Sequence, residues 1–268
     1  MNISFIGGGV MAEAILRGIL VKGIAAPKEV CIGEPVEARR RSLSKEHGVQ
    51  TTADNREAAR YGDLIVLAIK PQNLTEVMAE LSGGLRKEQA VLSIIAGARM
   101  ETLAGGLRHA AIVRVMPNTP AQIGAGMSLW LANRDVPPAY RGATASILRT
   151  LGEEMEVYDE RYLDMATALS ASGPAYVFLF LESLIDAGVY MGMSRDMART
   201  LAIQTVLGSA RLAQETGKHP AELRDMVTSP GGTTAEALRA LEEGGFRATI
   251  LRAVAAAYEK SKRLGEQK

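Results

Sequence analysis

MNISFIGGGVMA, residues 1–12, decides the fold. A short apolar run ending at Ile6 enters Gly7-Gly8-Gly9 and leaves as a helical pattern at Val10 and Met11, giving Gly7-x-Gly9-x-x-Ala12. Each position has a physical task. Gly7 makes the tight turn, Gly9 lets backbone approach a pyrophosphate, and small Ala12 lets helix pack on strand. The helix N-terminus then presents unpaired N–H groups and a positive dipole end to phosphates. The motif alone is weak, but its place in a strand–turn–helix ahead of a second strand makes it specific.

Working outward, short β-rich runs alternate with helical stretches up to about Asp159. Asn2–Ile6, Glu29–Ile32, Leu64–Ile69, Ala90–Ile95, Ile112–Met116, Met127–Ala132 and Met155–Tyr158 read as strands. Leu64-Ile65-Val66-Leu67-Ala68-Ile69 is apolar on both faces, as a buried parallel strand is. Val10–Val21 and Glu37–His47 read as helices, each with a cation in the last turn and a glycine just past it. The alternation implies βαβ units on a parallel sheet, hence an α/β class with a Rossmann-type doubly wound domain over 1–159. From Glu160 the β-rich runs stop. Arg161–Leu169, Pro174–Met191, Arg195–Thr216, Pro220–Val227, Thr234–Glu243 and Phe246–Leu264 read as helices, so 160–268 forms an all-helical domain. Pro174–Met191 is apolar almost all round, which predicts burial on most sides and a partner chain over part of it.

Composition excludes several classes. With 268 residues the chain accommodates two domains, and 47% hydrophobic with 23% charged residues is globular. Lys and Arg (31) nearly cancel Asp and Glu (30), and no like-charge block is long enough to track a phosphate backbone, so nucleic acid is not expected as a partner. The lone Cys31 forms no intrachain disulfide, and no Cys/His cluster suggests a metal. Nothing approaches the roughly 18 unbroken apolar residues of a membrane span. The first residues form a strand with no basic leader, and the chain reads as soluble and cytoplasmic.

The end of the second strand bears on the choice of dinucleotide. Glu34 stands 22 residues after Ala12. An acid there accepts from a ribose 2′-hydroxyl and repels a 2′-phosphate, favouring NAD. Arg39, Arg40 and Arg41 follow within reach of a phosphate. At least two of the three fit a solvated helix face, and NAD(H) and NADP(H) both remain open. Ala68-Ile69-Lys70-Pro71 and Ile95-Ala96-Gly97 follow strands at the sheet's carboxyl edge, where ligands bind.

A second constellation, Thr228-Ser229-Pro230-Gly231-Gly232-Thr233-Thr234, precedes a helical pattern. Glycines and threonines at a helix N-terminus form a compact anion site. The three histidines have no evident carboxylate partner: His47 ends a helix, His109 precedes a strand and His219 precedes Pro220. No metal-ligand spacing or nucleophile elbow appears. Hydride transfer suits this poverty of acid/base groups, because the cofactor carries the chemistry. Reduction of an already protonated imine asks for even less.

With these pieces placed, the chain closely resembles the pyrroline-5-carboxylate reductases of proline synthesis. The resemblance runs nearly end to end. It rests on Ile6-Gly7-Gly8-Gly9-Val10-Met11-Ala12, Ala68-Ile69-Lys70-Pro71-Gln72, Met116-Pro117-Asn118-Thr119-Pro120, Ser172-Gly173-Pro174-Ala175-Tyr176, and the stretch from Pro220 through Ser229–Thr234 to Glu242. It implies a Rossmann domain, an all-helical dimerisation domain, and an active site shared between two chains. Hydride would pass from NADPH or NADH to 1-pyrroline-5-carboxylate, giving L-proline. By the same resemblance Gly7–Met11, Asn55, Ala68–Pro71 and Ala96-Gly97 would hold the cofactor, with Pro117 and Asn118 bordering the nicotinamide. Gly231, Gly232, Thr233 and Thr234 would bind the substrate carboxylate. Thr234 would reach the ring nitrogen as the catalytic group, and Glu160 would lie at the substrate pocket. A homodimer or a higher oligomer would follow. Some relatives have a small polar residue at Glu34 and asparagine at Met226, so Met226 takes no role here. The rival β-hydroxyacid dehydrogenases need a lysine and an asparagine on the first long helix of the second domain, and residues 173–188 contain neither. A non-catalytic dinucleotide-binding protein would keep Gly7–Ala12 and lose the second site, which is intact.

Overall fold

The chain enters its sheet in the middle, and that choice creates the ligand crevice. The computed structural model describes residues 1–266. β1 (Ile3–Ile6) pairs in parallel with β2 (Val30–Gly33) on one side and with β4 (Leu64–Leu67) on the other. β3 (Gln50–Thr52) lies outside β2. Beyond β4 follow β5 (Ala90–Ser93), β6 (Ile112–Met116), β7 (Gly126–Ala132) and β8 (Gly152–Glu156), so the order is β3-β2-β1-β4-β5-β6-β7-β8. The winding reverses between β1 and β4, which opens a crevice at their carboxyl ends.

The strand sequences explain the layers. Side chains alternate faces. Leu64 and Val66 join Ile3, Phe5, Ile32 and Leu92 in one core, while Ile65 and Leu67 join Ile6, Val91 and Ile112 in the other. The first core is closed by Ile15, Leu16 and Ile19 of α1 (Val10–Val21), by Leu43 of α2 (Glu37–His47), and by Ile147 and Leu148 of α6 (Pro138–Arg149). The second is closed by α3 (Asn55–Tyr61), α4 (Leu74–Leu81) and α5 (Met100–Leu107) through Ala58, Val77, Leu81, Leu103 and Leu107. Fully burying each large aliphatic side chain contributes about 1.5–3 kcal/mol.

Three details depart from the sequence expectation. β3, a polar Gln-Thr-Thr at the sheet edge, was not expected. β7 runs antiparallel to β6, because the connection 117–125 is too short for a parallel crossover, which takes a dozen or more residues. β8 begins at Gly152 rather than Met155. Its Glu153, Glu154 and Glu156 hide the strand pattern, although Trp130 Nε1 donates to Glu154 Oε2 at 2.6 Å.

The chain divides into two compact units, Met1–Ser172 with the segment from Ala257, and Gly173–Ala256. The compact units divide between Ser172 and Gly173, later in the chain than the 159/160 division read from the sequence. α7 (Arg161–Ala166) and the π-helical turn Thr167–Ala171 belong to the sheet unit, since Leu163, Ala166 and Ala168 are buried and Asp164 Oδ1 accepts from Ser261 Oγ at 2.7 Å. The second unit contains α8 (Gly173–Tyr190), α9 (Arg195–Thr216), α10 (Pro220–Met226), α11 (Thr233–Glu243) and the first half of α12 (Phe246–Glu266). α8 packs on α9 where Gly188 meets Ala198, and a Cβ at Gly188 would stand 2.7 Å from that of Ala198.

The expected burial of α8 is not found within the chain. Only Gly188 is buried, while Phe178 is 61% and Leu179 64% exposed. The helical run Arg161–Tyr190, with an 18-residue window of mean hydropathy 1.4, is also long and apolar enough, by length and composition alone, to cross a membrane. A helix that is apolar all round requires a cover; in a single chain it has little.

Candidate active site

The geometry of the glycine turn is fixed by its neighbours. Gly7 takes φ +98°, and a Cβ there would stand 2.7 Å from the Ala68 carbonyl oxygen, so the turn tolerates only glycine. Its N–H donates to Gly33 O at 2.8 Å, and the Ala68 N–H donates to Ile6 O at 2.9 Å, tying the turn to β2 and to the loop after β4. Gly9 is the N-cap of α1 with no side-chain cap, and nothing lies within 4 Å of where its Cβ would be. Val10 beside it is 62% exposed, Met11 packs against the core, and Ala12 is buried. The open helix end above Gly9 therefore fits the pyrophosphate of a dinucleotide.

Behind the turn lies a charged network. Glu34, 9% exposed, accepts the Gly8 N–H on Oε2 and the Val36 N–H on Oε1, both at 2.9 Å. Arg39 donates through Nε to Gly8 O at 2.7 Å and through Nη2 to Glu13 Oε2 at 2.6 Å. Arg40 Nη1 donates to the carbonyls of Glu34 and Pro35 at 2.7 and 2.8 Å. Only Arg41, paired with Glu37 at 2.5 Å and 78% exposed, fits the solvated face expected for at least two of the three. The expectation for His47 is corrected as well. Its Nε2 meets Glu13 Oε1 at 2.9 Å, with the imidazole buried. Burial opposes the ionisation of Glu13, but hydrogen bonds from Arg39 and His47 outweigh it and hold the carboxyl below its ordinary value. Glu13, His47 and Glu46 bring their ligand atoms within 4.8 Å of one another, a cluster in which the Arg39 guanidinium already supplies the positive charge.

The other expected cofactor residues follow strand ends of the same unit. Asn55 opens α3 over the end of β2, with its Oδ1 2.8 Å from where a Gly33 Cβ would lie, and its Nδ2 donates to Glu80 Oε2 at 2.8 Å. Ala68 and Ile69 are half-buried against Gly7, and Lys70 and Pro71 are exposed. Ala96 and Gly97 follow β5, where Gly97 has φ +76° and a Cβ would meet that of Leu264 at 3.1 Å. Pro117 is buried. The Asn118 side chain is held by its neighbours, accepting from Met127 N–H at 2.9 Å and donating to Ser170 at 3.3 Å.

Glu160, expected at the substrate pocket, has a structural occupation. Its Oε1 accepts the Met100 N–H at 2.6 Å, at the start of α5, and pairs with the buried Arg114 guanidinium. Sequence reading passed over Arg114 because a cation inside a β-run carries no signal of its own.

Gly231, Gly232, Thr233 and Thr234 lie together in the helical unit. Gly231 takes φ +67°, and Gly232 caps α11 without a side-chain hydrogen bond, which leaves the threonine hydroxyls free of that task. Thr233 is exposed and Thr234 half-buried. Gly232 N–H donates to Ser229 O at 3.1 Å, which closes the turn. His219 caps α10 by accepting the Ala221 N–H on Nδ1, and the buried His109 contacts Gln89 O at 2.8 Å. Cys31 is buried and its thiol is pushed up to about 11, by burial first and by Glu57 second, which makes it inert as a nucleophile.

Residues 160–264 match the family model described as pyrroline-5-carboxylate reductase dimerisation, and residues 2–97 that described as NADP oxidoreductase, coenzyme F420-dependent. A pyrroline-5-carboxylate reductase of Synechocystis is 46% identical across 100% of this chain and 99% of its own length. That of Escherichia coli is 41% identical, covering 99% and 98%. A crystal structure of the Plasmodium falciparum pyrroline carboxylate reductase with NADP bound superposes with a TM-score of 0.90 at 34% identity, covering 99% of this chain and 98% of that one.

Proposed function

Because the chain belongs to the pyrroline-5-carboxylate reductase family, we infer that its glycine turn and its Gly231–Thr234 turn are the cofactor and substrate sites of that activity. The protein is an NAD(P)-dependent oxidoreductase that reduces 1-pyrroline-5-carboxylate to L-proline, closing proline biosynthesis. The observation that carries the cofactor assignment is the uncapped N-terminus of α1 above Gly9, open where a side chain would otherwise stand. Gly7, Gly8, Gly9, Val10 and Met11 would take the pyrophosphate. Ile6, Asn55, Ala68, Ile69, Lys70, Pro71, Ala96, Gly97, Pro117 and Asn118 would shape the rest of the cofactor site.

When bound, the reduced nicotinamide supplies a hydride to the imine carbon, and the imine nitrogen becomes the ring amine of proline. The chain's own residues do the rest by position. Backbone N–H groups at Gly231 and Thr233 would hold the substrate carboxylate, with Gly232 keeping the turn closed through its bond to Ser229 O, and the Thr234 hydroxyl would hydrogen-bond the ring nitrogen. A cationic imine needs no further acid, which matches the histidines being committed elsewhere. We assign Glu160 to holding Arg114 and α5 rather than to the substrate. Thr234→Ala tests the reading: kcat/KM for the imine should fall at least about tenfold while the Kd for cofactor holds. Unchanged kcat/KM would overturn it.

The same reading makes α8 a dimer face. The segment matching the dimerisation model contains it, and Phe178 and Leu179 would be covered by a second copy in a cytoplasmic homodimer or larger assembly. The apolarity of Arg161–Tyr190 is then that of an interface.

A further inference from the structure

Glu34 stands at the carboxyl end of β2 with both oxygens held. Oε2 accepts from Gly8 N–H and Oε1 from Val36 N–H, each at 2.9 Å. A Cβ at Gly8 would lie 3.3 Å from Oε2, so the carboxylate rests against the glycine turn itself. In strand–turn–helix dinucleotide sites the adenine ribose is placed at this point. A carboxylate there accepts from a 2′-hydroxyl and meets a 2′-phosphate as a like charge. Glu34 cannot swing away without leaving the buried Gly8 N–H unpaired.

Neighbouring cations do not offset this. Arg39 is held by Gly8 O and matched by Glu13 at 2.6 Å. Arg41 is exposed and paired with Glu37. Arg40 is the third, and its Nη1 is turned to the carbonyls of Glu34 and Pro35. Glu13 thus matches Arg39, and Arg40 turns Nη1 to two backbone carbonyls, so a 2′-phosphate at this strand end would meet the Glu34 carboxylate as a like charge.

We propose that Glu34 is the specificity-determining residue for the cofactor and makes this reductase favour NADH over NADPH. The inference rests on the glycine turn being the dinucleotide site. A solved relative carries NADP, so the preference belongs to this chain's residues and not to the fold.

The test is equilibrium titration of the purified protein with NADH and with NADPH, followed by cofactor fluorescence. Wild type should bind NADH at least about tenfold more tightly. Glu34→Gln keeps an oxygen for the Gly8 N–H and removes the charge; it should narrow the ratio by tightening NADPH. Glu34→Ser should do the same if the glutamine variant fails to fold. Arg40→Met should leave NADH favoured. NADPH binding as tightly as NADH to wild type, or a ratio unmoved in the folded Glu34 variants, would overturn the proposal. A selective loss of NADPH in Arg40→Met would overturn it in favour of Arg40. Binding of neither dinucleotide would overturn the glycine-turn site on which it rests.

Discussion

Glu13 in the first turn of α1 and His47 in the last turn of α2 meet at 2.9 Å, and the same carboxylate holds Arg39 at 2.6 Å. Arg39 in turn grips the Gly8 carbonyl. One acid thus fastens the glycine turn to α2. Its depressed ionisation gives stability that is fully present above its ordinary value of 4.5 and is lost as pH falls through the lower folded value. Glu13→Gln should cost about 1–3 kcal/mol at neutral pH, the range for charged hydrogen bonds in a largely buried setting. The gap from wild type should shrink as denaturation is repeated below pH 4.5. A gap of the same size throughout would separate Glu13 from this role.

Gly9→Val places a branched side chain in the open space above α1. The backbone there is extended, at φ −70° and ψ −178°, so the fold should survive with Tm nearly unchanged. Dinucleotide affinity should fall at least about a hundredfold, because both pyrophosphate approach and helix-end contact are blocked. Wild-type affinity in the folded variant would move the cofactor elsewhere.

Much of this was legible beforehand for a physical reason. The glycine turn and the buried β4 announce themselves because backbone geometry and two-sided burial restrict which residues fit. α1 and α2 have the bounds that their punctuation implied. The network behind the site was not legible, because Glu13, Arg39 and His47 are brought together by tertiary packing over 26 and 34 residues of sequence. β8 was legible only from Met155, because Glu153 and Glu154 break its hydrophobic alternation, whereas the reversal of β7 follows from the short 117–125 connection.

Glu160→Gln separates support from chemistry. Arg114 would lose its charged partner in a site where its own side chain is 8% exposed. Stability should drop by about 1–3 kcal/mol, discounted for the partial exposure of Glu160. KM for the imine should change less than threefold, about 0.6 kcal/mol. A large KM rise at unchanged Tm would return Glu160 to the substrate pocket.

Phe178→Glu with Leu179→Glu puts charge on the face of α8 that is exposed in the single chain. Light scattering should show the wild type as a dimer or larger and the double variant shifted to monomer, since charge at the centre of an apolar interface is strongly unfavourable. A monomeric wild type would remove the dimer face.

The central claim is that this chain transfers hydride to a cyclic imine from a cofactor held at Gly7–Met11. The most direct measurement follows oxidation of NADH and NADPH in parallel, with 1-pyrroline-5-carboxylate as substrate and L-proline quantified as product. The account predicts stoichiometric proline formation, abolished in Gly9→Val. No proline with either cofactor, or undiminished turnover in Gly9→Val, would contradict it.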